Sequence, residues 1–339
     1  MATDSPDPPP SERPASETDA DPPHPAFAEY ATESVPAAAV GSPGKDGRLE
    51  LRFAPDDSGE TNLVRDLART PFHVSGTLGH DPHPDAETVY VQSPTGGVAQ
   101  GDRHAVEIEA RDGAVAHVST QSSTKVLSME RNYAAADYDL TVGEGAHLEY
   151  VPEPTILNAD ARFYGETTVD LAPSATAVVG DVVVPGRLAR GERFEFERYL
   201  SRLRVRSDGQ LLVDDATHLA PADDDPTAPG VLGEFAVLGT LYVLDPAGDA
   251  AALSDRLHEA AVAVAEEAGG GTDDDRTADE ESENDDAVRA GATALPNGAG
   301  VAVRALGHRA ERVTATLDAA WDAAREELIG VGAPDARRL

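Results

Sequence analysis

The chain has 339 residues, with 62 Asp and Glu against 27 Lys and Arg. Its formal charge of −35 at pH 7 leaves no basic face of the kind phosphate binding needs, which excludes nucleic acid as a partner. It contains no cysteine, so disulfides, thiolate metal sites and cysteine nucleophiles are excluded together, and any metal must be met by nitrogen or oxygen.

Residues 1–47 hold ten prolines and few large apolar side chains, a composition that cannot offset chain entropy and reads as a disordered acidic tail. Its start has neither a basic region nor an apolar one, so no secretory signal is expected. From Arg48 onward short alternating runs rich in Val, Thr, Tyr and Leu are punctuated by Gly, Asp and Pro, the pattern of many β-strands.

Four strand-turn-strand units follow, at Arg111-Asp112-Gly113, Gly143-Glu144-Gly145, Ala172-Pro173-Ser174 and Ser207-Asp208-Gly209. Their centres near 113, 145, 174 and 209 lie 32, 29 and 35 residues apart. Recurrence at that spacing favours stacked β-layers, a β-solenoid or two packed sheets, over an antiparallel sandwich with irregular hairpins. The most apolar stretch, residues 228–244, carries Glu234 and three glycines and is too short to span a bilayer comfortably; no membrane contact is expected, and a soluble, cytoplasmic protein is.

Two amphipathic helices come late. Leu253, Leu257, Ala260, Ala261 and Val264 form one apolar stripe, with Asp249 as its N-cap. Val313, Leu317, Ala320, Trp321, Ala324 and Leu328 form another, stopped by Gly330. Between them residues 269–289 read as a solvated acidic loop, and residues 331–339 as a short tail. The fold class is therefore mainly β, a stacked, solenoid-like body with two helices in its C-terminal half, residues 48–330 forming one domain.

Only Lys45 and Lys125 are lysines. The tail contributes −7 and residues 266–289 contribute −9, so the body itself carries −19. Acid in excess on a folded body, with almost no lysine, reads as adaptation to a salt-rich cytosol where self-repulsion is screened.

No Gly-x-Ser-x-Gly elbow or His-Glu-x-x-His pair occurs, and Gly96-Gly97 is followed by no Gly-Lys-Ser/Thr. His80 and His83 could seat a metal only if their proline-rich loop folded back; they read as exposed. His117 and His147, at similar places in successive units, read as structural neighbours on one sheet face. Acids within apolar strands are more informative: Asp181 shares a face with Val179 and Val183, and Asp214 or Asp215 must share one with leucine or valine. Such carboxylates must be paired, wet or bound to a cation.

Four motifs in register resemble those of the urease accessory protein UreD (UreH) family. They are Pro94-Thr95-Gly96-Gly97-Val98-Ala99-Gln100-Gly101-Asp102, Thr120-Gln121-Ser122-Ser123-Thr124-Lys125-Val126, Leu148-Glu149-Tyr150-Val151-Pro152-Glu153-Pro154-Thr155-Ile156-Leu157 and Gly186-Arg187-Leu188-Ala189-Arg190-Gly191-Glu192-Arg193-Phe194. The likeness extends over residues 48–330, with Thr95, Gln100 and Glu153 as departures. It implies a cytoplasmic, non-enzymatic chaperone that binds urease apoprotein and UreF, with UreG joining as GTPase, and helps insert nickel. Nickel is then a transient cargo and no cofactor is tightly bound. The resemblance also implies an internal wet passage whose acidic lining matches Asp102, Asp181 and Asp214. Lys125, inside the second motif, is expected to pair with Glu149 or Asp102. The alternatives are a solenoid-type carbohydrate-active enzyme using Asp214 and Asp215, which adjacent placement on one strand disfavours, and a plain binding module.

Overall fold

The computed structural model describes residues 24–35, 43–269 and 286–334. In chain order the first strands are β1 (Asp46–Pro55), β2 (Thr61–Arg69), β3 (His73–Leu78), β4 (Ala86–Gln92), β5 (Arg103–Ala110), β6 (Val115–Thr120), β7 (Thr124–Val126), β8 (Ala134–Val142) and β9 (His147–Tyr150). There follow β10 (Thr155–Leu157), β11 (Arg162–Leu171), β12 (Thr176–Val184), β13 (Arg198–Ser207), β14 (Gln210–Leu219), β15 (Val237–Leu244), β16 (Val288–Ala294) and β17 (Gly300–Gly307). The helices are α1 (Ala28–Ala31), α2 (Ala250–Gly269) and α3 (Ala310–Leu328).

Two sheets stack face to face. The first runs β14-β13-β11-β8-β5-β1-β2, and the main path of the second runs β16-β17-β15-β12-β9-β6-β4-β3. Pairing is parallel from β1 through β5, β8 and β11 to β13, and from β4 through β6 and β9 to β12. Three of the four predicted units therefore cross from one sheet to the other at their turns, and the chain winds as a solenoid. The fourth, at Ser207-Asp208-Gly209, instead closes a hairpin between β13 and β14.

The register explains the turn spacing. Ile108 lies beside Leu140 and Leu140 beside Val169, offsets of 32 and 29 residues, the same as the first two turn spacings. Leu51 and Val205 extend this ladder at either end, and all five side chains are buried in the inter-sheet core. Turn groups bind from layer to layer: Gly113 N–H donates to Glu144 O (2.9 Å), and Gly145 N–H to Ser174 Oγ (2.9 Å).

The part of the second sheet around β12 is apolar on both faces and has to be covered on both. β12 (TAVVGDVVV) shows why: Ala177 and Val179 point into the inter-sheet core, while Val178, Val182 and Val184 point outward under the helices. Leu253, Leu257 and Ala261 of α2 and Val313, Leu317, Ala320, Trp321 and Ala324 of α3 supply that cover. Asp249 caps α2 through Ala251 N (3.0 Å) and Ala252 N (3.2 Å), and Gly330 follows α3 with φ +76, both as expected.

The N-terminal expectation needs correction. Residues 24–35 are packed, with Phe27 and Tyr30 buried against Tyr133, Ala135, Tyr164 and Leu200 on the outer face of the first sheet. Arg162 stacks on Tyr30 at 4.5 Å and reaches Glu33 at 3.2 Å. Two aromatics among prolines sufficed to anchor a segment whose average composition is that of a tail. Likewise β16 begins at Val288 inside the expected acidic loop, and Asp286 bonds to Arg312 (2.9 Å) and Arg309 (3.3 Å). The rest of the expected tails and loop, residues 1–23, 36–42, 270–285 and 335–339, lies outside the described residues.

The remainder of the first sheet's outer face is charged, and acids lie side by side on it: Glu107 beside Asp139, and Asp137 beside Glu166. Burial, and then the neighbouring acids, hold the Asp137 and Asp139 carboxyls above the usual range. The folded state thus takes up these protons more readily than the unfolded chain, so ionisation costs stability at neutral pH and the cost fades as pH falls through the raised values. Asp139→Asn is expected to stabilise by about 0.2–1 kcal/mol in about 0.1 M KCl, and by much less in about 1 M KCl where charges are screened within ~3 Å. Thermal unfolding at both salt concentrations checks this; an equal gain at both would refute the repulsion.

Candidate functional site

Between the sheets, where the aliphatic ladder gives way to an aromatic cluster around Phe163 and Tyr199, lies a cavity of about 190 Å³. Inward positions that carry leucine or valine along the ladder carry Gly165, Thr167, Ser201 and Thr217 here, and Tyr138, Tyr150 and Tyr242 ring the space. Its volume and hydroxyls suit several waters.

Three of the four sequence motifs meet at this cavity: Gly96 to Val98, Ser122 to Lys125, and Tyr150 with Pro152, Glu153 and Thr155. Gly97 is needed for the closeness of the first two, since its φ is +145 and a Cβ there would sit 2.5 Å from Lys125 O. Val98 N–H then donates to Lys125 O (2.8 Å), and Leu127 N–H to Val98 O (2.9 Å). The fourth motif locks its own loop, with Arg187 Nε donating to Glu192 Oε2 (2.7 Å) and Ala159 N–H to Glu192 Oε1 (2.8 Å).

The three acids expected to share a lining do not come together. Asp181 does face the cavity, on the face of Val179 and Val183 as its parity requires. Its carboxylate accepts from Ser201 Oγ at 2.7 Å and more weakly from Tyr199 OH at 3.4 Å. Burial pushes this carboxyl up, and those two hydrogen bonds only partly oppose it.

Asp102 is fully buried but serves as a loop lock, accepting from Lys45 N (2.8 Å) and Ala99 N (2.9 Å). Asp214 points outward from β14 to a two-pronged bond with Arg202. Its neighbour Asp215 is the inward acid, on the face of buried Val213, where it accepts from Tyr242 OH (2.8 Å) and pairs with Arg304. Strand parity with Val213 would have selected Asp215. The two adjacent acids therefore serve opposite faces, which removes them as a joint acid and base.

His104 was not singled out from the sequence, yet it lines the same cavity. Burial pushes its imidazole down to about 4, with Asp102 opposing, so it is neutral at pH 7. Its Nε2 is buried with no hydrogen-bond partner among the described residues. Burial also pushes the Tyr138 phenol up to about 12, so the cavity is lined by protonated phenols. Among the described residues no three His, Asp or Glu gather closely enough to hold a metal ion, and no helix is long and apolar enough to cross a membrane.

On the opposite face of the second sheet lies a buried polar network that sequence patterning did not find. Arg325 sits inside the apolar stripe of α3, 1% exposed, and donates to Asp81 Oδ1 (2.6 Å) and Glu149 Oε2 (2.8 Å). Glu149 also accepts from Trp321 Nε1 (2.9 Å) and lies 3.1 Å from His147 Nε2. Burial alone would raise the Glu149 carboxyl; the His147 hydrogen bond and the nearby imidazoles and Arg325 hold it at about 2 instead. His117 and His147 do share this face, as expected, and His117 packs 5.1 Å from the Trp321 ring. In the proline-rich loop the working residue is Asp81 between the two histidines.

Lys125 forms no ion pair among the described residues and is exposed. The expected partners are taken: Glu149 by α3, and Asp102 by the other lysine, Lys45, at 4.0 Å.

Arg325→Met leaves two buried carboxylates unpaired and is expected to cost about 3–5 kcal/mol, in molar salt as well because a buried pair is weakly screened. Denaturant unfolding in KCl measures it, and a loss under 1 kcal/mol would show the network to be a surface-type pair. Because the Glu149 carboxyl is depressed, its contribution should hold above the usual 4.5 and be lost as pH falls toward about 2.

The sequence profile of the UreD urease accessory protein family matches residues 45–338. The chain is 65% identical to a urease accessory protein UreD of Haloarcula marismortui over 94% of this chain and 99% of that protein. It is 47% identical to a namesake from Natronomonas pharaonis over 92% and 98%, and 34% identical to urease accessory protein UreD 2 of Streptomyces griseus over 91% and 99%. The first two sources are halophilic archaea, in keeping with the acidic body. On motifs, coverage and identity alike, this chain belongs to the UreD family of urease accessory proteins.

Proposed function

We propose that this chain is a non-catalytic scaffold of urease maturation that binds urease apoprotein and a UreF-type subunit, meets a UreG-type GTPase through that complex, and gives nickel a sheltered path toward urease. The observation that carries the reading is the convergence of three family motifs on one inter-sheet cavity whose wall holds the desolvated carboxylate of Asp181.

Nickel here is cargo. A carboxylate that burial has made reluctant to ionise gains more from a divalent cation than a surface acid does, because the cation replaces lost hydration. Hydroxyls, waters and one carboxylate are hard donors that hold Ni²⁺ briefly, and the neutral imidazole of His104, on the facing sheet, adds a nitrogen donor to the lining of the same cavity. Nothing stronger is on hand, which suits passage more than storage. Of the acids first expected to line the path, Asp181 alone keeps that role in this proposal.

Asp181→Asn preserves shape and the partners of Ser201 and Tyr199 while removing the charge. Co-expressed with urease and its other accessory proteins, this variant is expected to fold and co-purify normally while urease emerges with several-fold less nickel and activity. Metal analysis of the purified urease decides it; fully loaded urease would refute the path through Asp181.

A further inference from the structure

A groove of about 1000 Å³ opens beside the cavity, and the two share Ser123 and Lys125. Its charge inverts that of the chain. Lys125, Arg187, Arg190, Arg193 and Arg309 line it, with Glu311 as the one acid among the described residues, in a protein where acids outnumber bases 62 to 27.

Three of these cations are engaged within the chain. Arg187 is bound to Glu192, Arg193 donates to the carbonyls of Glu234 (2.9 Å) and Phe235 (2.8 Å), and Arg309 reaches Asp286 (3.3 Å). Lys125 and Arg190 are exposed, and neither has a carboxylate partner among the described residues. Two uncommitted cations in one groove of a strongly acidic protein make a local positive patch that attracts an anionic ligand. The loop that presents Arg190 is held rigidly: Gly186 has φ +153 and packs its Cα against Glu192 O, too close for any side chain, and Glu192 ties the loop to Ala159 N.

We propose that this groove docks an acidic segment of a partner protein, its carboxylates on Lys125 and Arg190 and an apolar side chain on the floor formed by Ile156, Leu188 and Ala236. The apolar floor favours a peptide over a bare phosphate, which would leave it unused. A nucleic acid would carry its phosphates past the groove onto a surface of net negative charge and be repelled. Docking there sets the partner beside the Asp181 cavity, against the Ser123 and Lys125 that both share. The inference rests on the scaffold reading and names the chemistry of one of its contacts.

The test uses the full chain, in about 1 M KCl so that only contact ion pairs survive screening. A fluorescein-labelled peptide of Asp-Leu-Asp-Asp-Ile-Asp is titrated by anisotropy, against a control with every Asp replaced by Asn. The acidic peptide is expected to bind and the control to bind at least about tenfold more weakly; Lys125→Ala and Arg190→Ala should each weaken binding about five- to tenfold. Both positions are exposed and unpaired among the described residues, so unfolding temperatures should not move. Equal binding of the two peptides, indifference to both substitutions, or stronger competition by inorganic phosphate or a DNA oligonucleotide than by unlabelled peptide would overturn the proposal. No urease enters this measurement, so its failure leaves the nickel-loading test of Asp181→Asn untouched, and the reverse holds too.

Discussion

Parallel, in-register stacking is the constraint from which the rest of this molecule follows. Each sheet buries its inner face against the other and α2 and α3 cover part of the second sheet's outer face, while the first sheet's outer face stays largely charged and exposed apart from the patch under Phe27 and Tyr30. The ladder Leu51, Ile108, Leu140, Val169 and Val205 holds the layers in register, because a one-residue slip would turn these side chains to the charged outer face. Helix α3 is joined to the stack by the opposite kind of force, a buried arginine between two carboxylates, whose geometry admits one docking position. Aliphatic packing supplies stability without direction; the Arg325 network supplies direction.

The cavity is a consequence of substitution within this pattern. Where the stack would demand another row of large aliphatics, the chain supplies Gly165, Thr167, Ser201 and Thr217. The space they leave is bridged by tyrosines whose hydroxyls tolerate water, such as Tyr138 and Tyr150, with rings 5.4 Å apart. A carboxylate at position 181 would be costly in a fully dry core, and the polar cavity with Ser201 beside it makes the residue tenable. The site is thus part of the solenoid's interior, and its family motifs serve to bring three loops to its rim.

Charge is distributed with the same economy. The outer face of the first sheet places acid beside acid, as at Glu107 and Asp139, an arrangement acceptable at high salt, where repulsion is short-ranged. Arginine, which binds carboxylates with two parallel bonds, fixes individual positions such as Asp214 and Glu192. Against that background the cationic groove at Lys125 and Arg190 stands out as a local reversal of sign.

Residue order alone determined the strand-turn-strand period, the two helices with the Asp249 cap, the acidic body and the face of Asp181, since each depends on neighbours a few positions apart in the chain. The family motifs were equally legible, being local words. What residue order could not decide was which distant groups meet. Nothing near position 325 announces that an arginine in an apolar stripe will find Asp81 and Glu149, nor that Lys45 rather than Lys125 will take Asp102. Phe27 and Tyr30 were lost in the average of a proline-rich segment, because burial of two rings is decided by the pocket that receives them. Asp214 and Asp215 differ only in the face to which the strand turns them, and that difference becomes a difference of partners only when a second sheet, with Tyr242 and Arg304, lies opposite one of them. Periodicity is a property of the chain; pairing across layers belongs to the tertiary structure, because it depends on distances that the fold alone creates.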